Sequence, residues 1–170
     1  MQHQRQRIER YVTDHPGTHF SELSRELDLA AGQVQYHVRK LLKRDTLVQK
    51  QLYGRTHYYP PTYDEWEQSA LALLRRETAR EILVTLLERG PSHPDAVAEA
   101  VGVARATLEH HVDHLTEQEI VEKEYGRNNS VTLSVVDPEA TADLLVAIEP
   151  SLPDRLVDRF VVLLDDIFGE

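Results

Sequence analysis

The chain repeats itself at an offset of 74 residues. His19, Leu23, Leu27, Leu29, His37, Val38 and Leu41 return as His93, Val97, Val101, Val103, His111, Val112 and Leu115. Further along, the spacing shortens to 72, where Tyr53-Gly54-Arg55 returns as Tyr125-Gly126-Arg127, so the second copy is expected to lack two residues ahead of that point. A repeat of this period is one supersecondary unit used twice. In a chain of 170 residues it calls for two small units, each burying a modest core, rather than one larger domain.

Both copies carry the same order of elements. Over residues 4–14, Ile8, Tyr11 and Val12 recur at helical spacing, and His15-Pro16-Gly17 stops the helix. Residues 21–27 fit a short second helix capped by Ser21, Asp28-Leu29-Ala30 a turn, and residues 31–44 a third helix. Segments 47–53 and 56–59 are rich in strand formers and flank Gly54-Arg55 as a hairpin, in which Tyr53, Tyr58 and Tyr59 serve packing. A connector over residues 63–76 places Trp66, Ala70, Leu73 and Leu74 on one helical face. The second copy then uses residues 77–89, 94–100 and 104–117, and a hairpin of 120–125 with 131–135. Asp137-Pro138-Glu139 starts a further helix, and a last one follows Pro153. The expected fold is mainly α with small β wings: winged helix-turn-helix domains at 1–61 and 77–136, a helical connector at 62–76, and C-terminal helices at 137–170.

Charge separates the copies. Residues 1–60 hold ten Lys and Arg against six Asp and Glu, whereas residues 61–170 hold nine against 23. A polyanion is attracted by the first block and repelled by the second. No run of about 18 apolar residues is present and no signal-like start, so the expectation is a soluble, cytoplasmic protein with no membrane partner. The absence of cysteine excludes thiolate zinc sites, disulfides and thiol catalysis. No nucleophile, carboxylate pair or phosphate loop has catalytic spacing, so no enzyme activity and no cofactor are expected.

The third helix of the first copy has two distinct faces. At 100° per residue, Val34, Val38, Leu41 and Leu42 form an apolar stripe. Tyr36, Arg39, Lys40 and Lys43 lie opposite, with Gln33 and Gln35 flanking them near the helix start. Gln pairs with adenine and Arg with guanine, while Lys40 and Lys43 suit phosphates. The hairpin adds Arg55 at its tip and His57 beside it, cations suited to a minor groove or to the backbone. The bland alternatives are a solvated helix face and an arginine merely exposed on a turn.

Taken together, His15-Pro16-Gly17 through Leu29, Gln33-Val34-Gln35-Tyr36-His37-Val38-Arg39-Lys40-Leu41 and Gly54-Arg55-Thr56 resemble archaeal winged-helix regulators of the ArsR/MarR type. Only four lysines in an Asp- and Glu-rich chain likewise resemble the proteins of salt-loving archaea. The resemblance implies a homodimeric, DNA-binding transcriptional regulator whose helix 31–44 enters the major groove of double-stranded DNA, with wing 47–59 on the backbone or minor groove. The chain departs from that pattern in being duplicated, and in lacking a basic face in the second copy. Tandem winged helices also resemble condensin accessory subunits and ESCRT-II subunits, which bind proteins, so a protein-interaction adaptor stays open. So does a sequence-tolerant architectural DNA binder.

In the second copy, Tyr36, Arg39, Lys40 and Lys43 become His110, Asp113, His114 and Glu117. Carboxylates there oppose phosphate, which points to dimerisation or to a protein partner through the second winged helix. His110 and His114, one turn apart, would suit a shared divalent ion or a proton sensor, but the sequence fixes no third ligand, and no metal is expected. The last helix carries Leu156, Phe160, Leu163, Leu164 and Ile167, more apolar surface than a small domain covers, and is expected to dimerise. Packing within its own domain is the alternative.

Overall fold

A computed structural model describes residues 2–148. The described residues divide into two compact units, the first running to Ala72 and the second beginning at Leu73. Unit 1 contains α1 (Gln2–Asp14), β1 (Thr18–His19), α2 (Phe20–Leu27), α3 (Ala31–Lys43), β2 (Val48–Leu52) and β3 (Arg55–Tyr59). Helix α4 (Glu65–Leu74) carries the chain out of it. Unit 2 contains α5 (Glu77–Arg89), α6 (Pro94–Val101), α7 (Arg105–Glu117), β4 (Val121–Tyr125), β5 (Val131–Val135) and α8 (Pro138–Ile148). The expected helix-helix-helix-hairpin order is present in both, and the fold is mainly α with small antiparallel sheets.

The core of unit 1 gathers Ile8, Val12, Leu23, Val34, Val38, Leu41, Leu47 and Tyr58, all buried. At the 74-residue offset Ile8, Val12 and Val34 become Ile82, Leu86 and Leu108, also buried, so the repeat reaches back into the first helix of each unit. Backbone geometry repeats with it. Asp28 and Gly102 both adopt positive φ after the second helix, and the amides of Leu29 and Val103 donate to Ser24 O and Ala98 O at 3.1 Å in each case. Asp45 and Glu119 repeat the left-handed turn after the third helix, at φ 56° and 58°.

Strand pairing corrects the expected shortening to a 72-residue offset. Gln49 pairs with Tyr58, and Lys123, its counterpart at 74, pairs with Leu133. The Gly126 amide bonds Ser130 O, and these residues occupy the places of Leu52 and Arg55. The 74-residue offset therefore holds to the end of the first hairpin strand and becomes 75 in the second. Unit 2 has gained one turn residue rather than lost two. The turn of unit 1 is Tyr53-Gly54, both at positive φ (47° and 81°), as a two-residue type I′ turn requires. In unit 2 it is a 3-10 turn over Arg127–Asn129, and the second Tyr-Gly-Arg begins at the end of β4 instead of in the turn.

Three other expectations shift. The second helix is capped by His19, not Ser21: His19 Nδ1 accepts from the Glu22 amide at 3.3 Å. His93 does the same for the Asp95 amide in unit 2, which explains why this histidine recurs at the offset. Strand β1, too short to show a period, pairs with β3 and makes the first sheet three-stranded in the order β1-β3-β2. In α4 the structure buries Ala70, Leu71, Ala72, Leu73 and Leu74 in succession, so no single apolar stripe stands out. The helix ends before α5, whose N-cap is Arg76.

At the other end of unit 2, Asp137 Oδ1 accepts from the Ala140 amide and starts α8 as expected. The terminal helix assigned to residues 152–168, with Leu156, Phe160, Leu163, Leu164 and Ile167, lies outside the described residues.

Candidate nucleic-acid interface

Helix α3 forms because an apolar stripe of period 3.6 docks onto α1 and α2. Val34, His37, Val38 and Leu41 are buried and Leu42 packs beside them. Burying that stripe turns the opposite face outward. Gln33, Gln35, Tyr36, Arg39 and Lys43 are exposed and Lys40 is half-buried. Lys40 Nζ sits 4.8 Å from the centroid of the Tyr36 ring, a cation–π contact, and the ammonium holds the Tyr36 phenol below its usual pKa. Tyr36, Arg39, Lys40, Lys43 and Arg44 together line one shallow basic depression.

Not every side chain assigned to this face is available. Gln33 Oε1 accepts from the Ala30 amide at 3.2 Å and closes the start of α3. On the hairpin, Lys50 of β2 is engaged as well, donating to Glu65 O at 3.2 Å. His57 requires correction. It is 3% exposed, and its Nδ1 lies 2.7 Å from Gly17 O, so it ties β3 to the loop after α1 and reaches no ligand from there. Arg55 opens β3 opposite Leu52 and is exposed just after the turn, one position beyond the tip.

The orientation of α3 also rests on His37, whose recurrence as His111 suggests a shared structural role. It is 2% exposed, and its Nε2 lies 3.1 Å from Gln4 Oε1 on α1, while Nδ1 is buried without a partner. Burial first, then the charges of Arg5 and Lys40, holds its pKa below the ordinary value of about 6.5. His111, its counterpart, is lowered chiefly by burial and then by His110, His114 and Arg76. A histidine whose folded pKa is depressed binds fewer protons folded than unfolded, so stability is full above about pH 6.5 and is lost as pH falls from there toward the folded pKa. The unfolding midpoint should therefore drop on acidification from pH 7 to 5. The variant His37→Gln should flatten that drop, as followed by thermal unfolding across pH.

Unit 2 presents the same face with its charges reversed and internally satisfied. Lys123 Nζ lies 3.0 Å from Glu109 and 3.8 Å from Asp113. Arg105 pairs with Asp95 and, at 3.0 Å, with Glu109. His110 packs edge-on against His114, with ring centroids 4.7 Å apart, where unit 1 has Tyr36 and Lys40. Among the described residues no group of three or more His, Asp or Glu is arranged to hold a metal ion, and no helix is long and apolar enough to cross a membrane.

Three helices closed by a hairpin, with the second and third joined through a left-handed turn, define a winged helix-turn-helix protein. Residues 2–71 match the family HTH_HVO_0163_N, an N-terminal HTH domain. Among curated proteins the chain is similar to an uncharacterized HTH-type transcriptional regulator, MJ1398, of Methanocaldococcus jannaschii, at 29% identity over 127 residues. That alignment takes in 75% of this chain but 32% of the relative, so the chain spans about a third of the relative's length. Among solved structures it is similar to reduced AbfR bound to DNA, with 13% identity and a TM-score of 0.42 over 82% of this chain and 91% of that one. Disulfide-formed AbfR follows at 13% identity and a TM-score of 0.39, over 88% of this chain and 94% of that one.

Proposed function

We propose that the chain is a DNA-binding transcriptional regulator in which unit 1 reads double-stranded DNA and unit 2 does not. The observation that carries this reading is the outward face of α3, where exposed Gln35, Tyr36, Arg39 and Lys43, with Lys40 beside them, lie on the third helix of a helix-turn-helix. In such domains that helix enters the major groove. Arg39 supplies a planar donor pair for guanine, Gln35 an amide for adenine, and Lys40 and Lys43 neutralise phosphate. Arg55 on the wing reaches the backbone or minor groove. The matched HTH family over residues 2–71 and the regulator relative support the same assignment.

Unit 2 carries acids where a reader needs cations, and Arg105 and Lys123 beside them are already paired. That favours a protein-facing role for it, as a dimerisation or partner-binding module, in a homodimer that places two α3 helices on two half-sites. The test is selection of bound duplexes from a random pool by the full chain, followed by footprinting. An enriched motif protected in two halves about one helical turn apart supports the reading. Recovery of no duplex at any salt concentration would leave the protein-interaction adaptor as the better account.

A further inference from the structure

The two units share their order of helices and their strand register up to the hairpin turn, so contacts made in one point to neighbours in the other. In unit 2, Lys123 on β4 touches both Glu109 and Asp113 on α7, at 3.0 and 3.8 Å. These positions correspond, at the 74-residue offset, to Gln49 on β2 and to Gln35 and Arg39 on α3. The register supports the transfer, because Gln49 pairs with Tyr58 just as Lys123 pairs with Leu133. Tyr58 belongs to the buried cluster that also holds Val34, Val38 and Leu41, so position 49, directly opposite it, lies on the sheet face turned toward the helices. That correspondence would bring Gln49, Gln35 and Arg39 toward one spot.

The polar groups at that spot differ in state between the units. In unit 2 the three side chains satisfy one another. In unit 1, Gln35, Arg39 and Gln49 are all exposed, and their side chains make no hydrogen bond or ion pair with another described residue. Two amides and a guanidinium brought together there and uncommitted would form a recognition surface, since they offer both donors and acceptors.

We propose that Gln49 is a specificity-determining residue of unit 1, extending the duplex-reading surface from α3 onto the first wing strand. It presents its amide to the same stretch of duplex as Gln35 and Arg39. Position 49 also governs whether Arg39 is free: a neutral amide leaves the guanidinium open, whereas an opposite charge ties it down, as Lys123 ties down Asp113. This rests on the reading of unit 1 as the DNA-binding unit.

Two measurements separate the proposal from that reading. The first uses no DNA: in Gln49→Glu, the pKa of the introduced carboxylate is followed by NMR titration with Arg39 present and in the Arg39→Ala background. Convergence of the two positions gives a lower pKa when Arg39 is present, and equal values would overturn the proposed geometry. The second uses a selected duplex and a scrambled one. Gln49→Ala should lose roughly three- to tenfold affinity on the selected duplex and little on the scrambled one. Gln49→Glu should lose more in the wild-type background than in Arg39→Ala, because part of its effect acts through Arg39. Full affinity and unchanged preference in Gln49→Ala, with binding abolished in Arg39→Ala, would overturn the proposal and leave the DNA reading intact. Failure of the wild-type chain to bind any duplex would overturn both.

Discussion

Replacing Arg39 and Lys40 together by alanine should lower affinity for a selected duplex roughly a hundredfold, while Asp113→Ala with His114→Ala should change it less than threefold. The first estimate follows from magnitudes. A bidentate arginine–base contact is worth about 1–3 kcal/mol and a phosphate contact somewhat less, and each 1.4 kcal/mol is tenfold. The two losses should also differ in kind. Arg39→Ala alone should flatten the preference for the selected sequence. Lys40→Ala should weaken selected and unrelated duplexes alike and reduce the slope of log affinity against log salt by about one, because one phosphate contact is removed. The face of α7 contributes little in either respect, since Asp113 already lies within 3.8 Å of Lys123 and presents no cation to DNA. Fluorescence anisotropy over a salt series measures all of these. Equal losses from the α3 and α7 substitutions would sink the division of labour between the units.

Much of this was legible because helices advertise themselves. The apolar stripe of α3 sets its orientation, and once Val34, Val38 and Leu41 are inward, Arg39 and Lys43 must be outward. The 74-residue offset was equally visible, since Leu41 and Leu115 are the same structural residue in two units. What stayed hidden depends on partners distant in sequence. The assignment of His57 to DNA failed because its fate is set by Gly17, 40 residues earlier, and by a two-residue strand that has no period to detect. His19 was passed over as a cap because serine and aspartate are the usual caps, and Ser21 stood nearby. The second Tyr-Gly-Arg misled because identity of three letters says nothing about strand register, which only hydrogen-bond partners reveal. Gln49 drew no role of its own for a related reason. Nothing in a strand sequence announces which helix positions its side chains lie nearest.

Truncating Leu41 should destabilise unit 1 by about 2–5 kcal/mol, the range for deleting a buried leucine side chain without refilling the space. Leu41 is 3% exposed and belongs to the same buried cluster as Ile8, Leu23 and Val38. Its carbonyl also accepts from the Arg44 and Thr46 amides and from Thr46 Oγ1, at 3.3, 3.1 and 3.0 Å, so it anchors the exit from α3. Leu41→Ala keeps those backbone bonds available but removes the side chain that holds the last turn of α3 against α1. Small units have little stability in reserve, so a loss of this size opens unit 1 for a measurable fraction of time. The slowest-exchanging amides of α1 and α3 should exchange roughly 30-fold faster or more, a factor set by about 2 kcal/mol at the low end. Leu115→Ala, the same substitution one offset later, should do this to α5 and α7, because Leu115 is fully buried and its carbonyl receives the Ile120 amide at 2.9 Å. Hydrogen exchange read by mass spectrometry distinguishes the two variants. DNA affinity should fall in Leu41→Ala at temperatures where unit 1 is partly open and recover on cooling, since the exposed face of α3 itself is untouched. Affinity lost equally at all temperatures would mean that Leu41 shapes the bound conformation of α3 rather than merely its stability.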